Sequence, residues 1–261
     1  MMVDEISWSH EMFGQCDLGD KRRTRRLVDV AARLARHAGS SLAQSCQSEQ
    51  AAALGGYRLI SNDKVEAQAI AESGFEAVAQ LCAQHAGDLL AVEDTTTMQY
   101  THAVAAHLGL VGSLPKSKQR GYLVHSVLLL GAESERTLGL LEQRRWCRDD
   151  ACFGKTQARK HRAYQDKESF KWQQASERMA HRMGKQGMAR TISVCDRESD
   201  IYDYLRYKLE QGQRFVVRAR CDRPLSDQDQ SLFAAVKDHG TVLYDSTVEI
   251  AQRGGRAARK A

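Results

Sequence analysis

The 261 residues carry 38 Lys and Arg against 33 Asp and Glu, a formal net charge of +5, with 42% hydrophobic and 27% charged content. This is the composition of a soluble globular chain with room for one large domain, or for a small and a medium one, and its mild positive charge does not by itself separate a nucleic-acid partner from an ordinary solvated surface. No apolar run approaches the roughly 18 to 20 residues that cross a bilayer, and an amino terminus containing Asp4, Glu5 and His10 is unlike a secretory signal, so a cytoplasmic chain without a membrane partner is expected.

The seven cysteines (Cys16, Cys46, Cys82, Cys147, Cys152, Cys195, Cys221) are scattered and form no CxxC pair. They read as reduced structural thiols rather than as a disulfide framework or a zinc site. The distribution of charge says more than its total. Seven basic residues lie between Lys21 and Arg36, and Arg253, Arg256, Arg259 and Lys260 cluster at the other end.

Asp20 is a good helix N-cap, and Leu27, Val30, Ala31 and Leu34 recur at helical spacing behind it, predicting a helix that ends near Gly39 with one apolar stripe. Arg22, Arg23, Arg25, Arg26, Arg33 and Arg36 occupy much of its remaining surface, with few acidic partners in sight. Further helices are expected over about Ser48 to Ile60 and Val65 to His85, so the first eighty-odd residues read as all helical. At Leu89 the pattern changes. Leu89 to Val92 is a short continuous apolar run suited to a strand buried on both faces, ended by the polar residues from Glu93 to Thr97. Strands follow at Tyr122 to Leu130 and Thr137 to Leu141, then a polar stretch from Arg144 to about Lys167 that reads as loop with some helix. A helix from Phe170 to Met183, a strand from Thr191 to Cys195, a helix from Ile201 to Leu209 and a strand from Arg214 to Ala219 complete the series. Thr241 to Ile250 reads as strands running into a basic, Gly-containing end, which gives the chain the look of one cut off.

Three strands followed by alternating helices and strands is the order of an RNase H-like α/β domain, in which aspartates on the first and fourth strands sit side by side at the centre of a mixed five-stranded sheet. Here those positions fall on Asp94 and Asp196. Two adjacent carboxylates repel unless a cation lies between them, and hard oxygen ligands suit Mg²⁺ or Mn²⁺ for phosphodiester chemistry. An aspartate after a strand is also a common loop cap, so spacing alone leaves both readings open.

Seven blocks bear on that choice: Leu18 to Val28, Tyr57 to Asn62, Leu90 to Thr96, Arg120 to Leu130, Asp166 to Ser169 with Lys171 and Trp172, Val194 to Ile201, and Arg214 to Arg218. In order and spacing the chain resembles the DDE transposases of the insertion-sequence-four family, in particular those of the transposon-five type. The resemblance implies a helical domain at 1–66 that binds transposon ends and an RNase H-like catalytic domain at 67–261. It implies that Asp94 and Asp196 are the first two metal-binding acids of the DDE triad. It also implies that Arg22, Arg23, Arg26 and Arg58 contact end DNA, that Arg218 lies close to the cleaved end, and that Arg120, His125 and Arg197 lie near the site, with Arg120 on DNA. The implied function is cut-and-paste transposition, a metal-dependent phosphoryl transfer on double-stranded DNA at transposon ends and at a target. The protein would be bacterial, nucleoid-associated when bound to DNA, and homodimeric in its full-length form.

The sequence departs from the family in one respect that matters. The third acid, a glutamate within a tyrosine, arginine, glutamate, lysine signature beyond a β-rich insertion, has no counterpart here, and the dimerisation helices are missing too. Glu198 and Asp200 stand near Asp196 but precede the wrong helix. A truncated copy deficient in cleavage is therefore expected, and two readings stay open: a DDE transposase, or a non-catalytic protein that occupies transposon ends. His125 reads as a core histidine or a catalyst, and Trp8, Trp146 and Trp172 as packing residues rather than base-stacking platforms.

Overall fold

The computed structural model describes residues 4–112, 117–148, 162–225, 230–241, 247–252, 255 and 257–260. The chain forms two compact units, one running to Arg218 and another from Ala219.

The first unit opens with five helices: α1 (Glu5–Phe13), α2 (Lys21–Arg36), α3 (Leu42–Ser45), α4 (Gln50–Ile60) and α5 (Ala67–Gln84). Short polar side chains start three of them. Asp4 accepts from the amides of Ile6 and Ser7, Asp20 accepts from Arg22, and Ser41 with Gln44 forms a reciprocal capping box. The sequence reading assigned neither α1 nor α3. In α2 the buried residues are Leu27, Val28, Val30 and Ala32. Leu34, expected on the apolar stripe, is partly exposed, and the helix stops at Arg36 rather than Gly39. Cys16, Leu18, Leu27 and Leu59 form a small core among these helices.

The sheet follows, with β1 (Leu89–Tyr100), β2 (Arg120–Gly131) and β3 (Thr137–Trp146), then α6 (Lys171–Ala189), β4 (Thr191–Cys195), α7 (Tyr202–Glu210) and β5 (Arg214–Val217). The alternation expected from the sequence is present, and the strands stand in the order β3-β2-β1-β4-β5. β1 runs antiparallel to β2 and β2 to β3, whereas β1, β4 and β5 are parallel. The result is a mixed five-stranded α/β sheet behind an all-helical amino-terminal region.

Period-two alternation sorts the residues of β1 between the two faces. Leu89 and Ala91 join Val127, Leu129 and Leu141 in a core closed by Ala77, Val78 and Cys82 of α5 and by Ala175, Met179 and Met188 of α6, with Met12 of α1 reaching the same cluster. The other face is more open. Val92 is 38% exposed and Val216 of β5 is 59% exposed, so the apolar run at Leu89 to Val92 is not buried on both faces as expected. β1 also does not end at Glu93 but continues to Tyr100, paired along its whole length with β2.

In the second unit, α8 (Leu232–His239) is followed by a short antiparallel pair, β6 (Glu249–Ile250) with β7 (Arg259–Lys260). The strands expected from Thr241 lie partly outside the described residues, as do Arg253 and Arg256 of the basic end and much of the polar stretch after Arg148.

Candidate functional site

At the residue level the candidate site is a row of strand tips. The pairing of β1 with β4 ends at Glu93 opposite Cys195, and that of β4 with β5 ends at Cys195 opposite Val217. Asp94, Asp196 and Arg218 each come one residue later, so they follow one another across three adjacent parallel strands. Strands this close lie about 4.8 Å apart. Both aspartates are exposed, as is Arg218, whose amide donates to the Cys195 carbonyl at 3.2 Å. Asp196 also caps the short 3-10 turn Arg197–Ser199, accepting from the Glu198 amide at 2.8 Å. The cap and ligand readings of Asp196 are thus compatible, since one oxygen serves the turn and the other is left to face solvent.

Asp94 sits where β1 leaves its parallel neighbour and keeps only β2. In a sheet whose connections leave β1 and β4 in different directions, the crevice beyond the carboxyl ends of the strands is where ligands characteristically bind. Two carboxylates are hard-oxygen donors of the kind that could hold a Mg²⁺ or Mn²⁺ ion. Among the described residues no three His, Cys, Asp or Glu side chains gather where they could hold a metal ion.

Arg120 is not brought to this pair. It faces Tyr100 at the far end of the long β1–β2 ladder, whereas Asp94 faces Ser126, and six residues of strand span roughly 20 Å. Its guanidinium donates to the Leu108 carbonyl at 2.6 Å. The resemblance implied a nearness that the register of β1 with β2 does not give.

Behind the acid row lies a buried polar cluster that the sequence reading missed, apart from His125. Glu93, His125, Ser193, Tyr204 and Lys208 are 2% exposed or less. Lys208 donates to Ser193 Oγ at 2.8 Å, and its burial pulls the ammonium below its ordinary range while the Glu93 charge opposes that shift. Burial, with the Glu93 charge adding to it, pushes both the Cys195 thiol and the Tyr204 phenol well up. The available signal was the parity of Glu93, which alternates with Leu89 and Ala91 and so had to point into the core. Trp172 is buried, edge-on to His125 with ring centroids 4.6 Å apart, which makes it a packing residue as expected.

The basic helix forms a second surface. At 100° per residue, Arg22, Arg26 and Arg33 fall on one stripe of α2 together with Asp29. The Arg22 side chain is 86% exposed and pairs with Asp20 at 2.9 Å. Arg26 is 42% exposed, lies 3.6 Å from Asp29, and rests against Gly55 of α4, where a Cβ would stand 2.6 Å from its Cζ. Arg58 is exposed one turn further along α4 from Gly55, on the same side of that helix. Arg22, Arg26 and Arg58 therefore share a surface. Arg23 turns inward, donating to the Leu18 carbonyl at 2.7 Å.

The arginines have more acidic partners than the sequence reading held. Arg33 binds both Asp29 and Glu49, and Arg36 lies 3.6 Å from Glu5. Glu5 and Glu49 come from outside α2, so spacing within that helix gave no sign of them. Among the described residues Arg25 has no acidic partner.

Compared with known protein families, residues 5–65 match the model described as transposase DNA-binding. The matched stretch is the helical region from α1 to α4 and holds Arg22, Arg23, Arg26 and Arg58, which supports a DNA-binding role for it. No helix among the described residues is long and apolar enough to cross a membrane.

Proposed function

We propose that this chain is a DNA transposase of the DDE class, related to the transposon-five members of the insertion-sequence-four family, with a transposon-end-binding domain at 1–66 and an RNase H-like catalytic domain at 67–261. The observation that carries the reading is the placement of Asp94 and Asp196 on neighbouring parallel strand tips, beside Arg218. The match of residues 5–65 to transposase DNA-binding regions supports DNA as the partner, and we take that DNA to be double-stranded.

The chain's own residues divide the work. Arg22, Arg26 and Arg58 hold the duplex, chiefly through phosphates that carry no sequence information, with base contacts supplying the choice of end. Arg218 offers a positive charge to a phosphate lying across the strand tips. Asp94 and Asp196 would hold Mg²⁺ or Mn²⁺, which when bound supplies positive charge against the phosphate oxygens. The proposed setting is the bacterial nucleoid.

A second reading has its own support: among the described residues no three His, Cys, Asp or Glu side chains gather where they could hold a metal ion. It makes the chain an end-binding protein that does not cut.

The test is selection of bound duplexes from a random library, followed by a Mg²⁺-dependent nicking assay on the selected DNA. Selected duplexes nicked by the wild type but not by Asp94→Asn or Asp196→Asn, both of which still bind, are the expected result. Binding without nicking by any variant favours the second reading, and nicking that survives both substitutions removes the acid pair from the mechanism.

A further inference from the structure

We propose that His125 is a positioning residue for the acid pair, acting through its hydrogen bond to Thr95 to fix the direction of Asp94. This rests on the reading of Asp94 and Asp196 as ligands of a divalent ion.

His125 lies on β2 directly opposite Thr95 of β1. Its Nδ1 is 3.0 Å from Thr95 Oγ1, and its Nε2 is 3.7 Å from Glu93 Oε2. The imidazole thus spans the residue before Asp94 and the residue after it, on the face of the sheet opposite to the one Asp94 occupies. Its own position is set from behind by the edge-on Trp172 ring, and it is 1% exposed.

The brace stands where the backbone gives least help. Up to Glu93, β1 is held by ladders on both sides; from Asp94 onward it is held by β2 alone. The angle between Asp94 and Asp196 therefore depends on what fixes β1 from its inner face. The polar groups there are costly to bury: both oxygens of Glu93 and the Nε2 of His125 lack hydrogen-bond partners. Lys208, bonded to Ser193, supplies the opposite charge that faces Glu93 from α7. An apolar layer of the same size would hold the fold without that cost, but it would not hydrogen-bond Thr95, the residue that follows Asp94. Groups bonded directly to a metal-binding carboxylate typically account for 10- to 100-fold in metal affinity, and a brace acting one residue away belongs at the low end of that range.

The test uses the full chain and Mn²⁺ alone, with binding read from the loss of the free-ion electron paramagnetic resonance signal. Asp94→Asn should abolish binding. Thr95→Val, which keeps the shape and removes the hydroxyl, should weaken it about tenfold with an unchanged melting temperature, and Thr95→Ser should restore it. In a double-mutant cycle Thr95→Val should add nothing to His125→Phe, because both cut the same link. Should His125→Phe fail to fold, the Thr95 pair decides alone. Wild-type affinity in Thr95→Val, or additive losses in the cycle, would overturn the brace while leaving the acid pair intact. Mn²⁺ binding indifferent to Asp94→Asn would instead overturn the acid pair itself.

Discussion

Arg26 can lie flat across α4 because residue 55 has no side chain, and this gives the two helices a shared basic surface. Gly55→Ala would replace a poor helix former, a gain of up to about 1 kcal/mol, while pushing the guanidinium off its seat. Its expected signature is a melting temperature that holds or rises while DNA affinity falls. Arg26→Ala should weaken end binding by about 1–3 kcal/mol if the side chain reads a base, and less, uniformly across sequences, if it touches phosphate. Arg33→Ala is the contrast. Its charge is already met by Asp29 and Glu49, so gel shifts over a salt series should overlay those of the wild type. At this scale the sequence was readable where the cause is local: Asp20 caps α2, and Leu27 and Val30 are buried. It was opaque where two elements must first meet, as for Glu5 with Arg36, or the His125 ring across Thr95 and Glu93.

Elements declare themselves through periodicity and end where chemistry changes, which is why the order of strands and helices could be read and the length of β1 could not. The polar residues after Val92 looked like a strand end, yet the β2 ladder carries the strand on to Tyr100. The helix expected to end at Met183 does break there, at Gly184 with φ 63° and ψ −177°, and a second helical stretch that the sequence did not announce carries α6 on to Ala189. That conformation is open essentially only to glycine, so Gly184→Ala should cost about 1–3 kcal/mol in urea denaturation. A second element-level joint lies between β3 and α6, where the buried Glu142 carboxylate is held by Arg178 at 2.9 Å and by Arg182. Glu142→Ala should cost about 3 kcal/mol, the low end for breaking a buried pair, because Arg182 keeps Glu72.

Across the whole first unit, Arg182 ties α6 to α5 through Glu72 and to β3 through Glu142, so the packing of helices on the sheet responds to acid. Burial raises the Glu72 carboxyl, but the hydrogen bond and charge of Arg182 outweigh it and hold the group below its ordinary value of 4.5. A lowered folded value means that this contribution is fully present above pH 4.5 and is lost as pH falls through the lowered one. Acid titration followed by circular dichroism should therefore show loss of structure beginning below that pH, with a shallower slope in Glu72→Gln. The divided sheet leaves a different mark. Along Leu89 to Glu93 amides on both sides of β1 meet a strand, whereas past Glu93 every second amide points to ground that β4 does not reach. Deuterium should enter the first stretch evenly and slowly, and the second in alternation, quick at one amide and slow at the next. The exchange pattern of this single strand would thus mark where the sheet divides, with neither DNA nor metal in the tube.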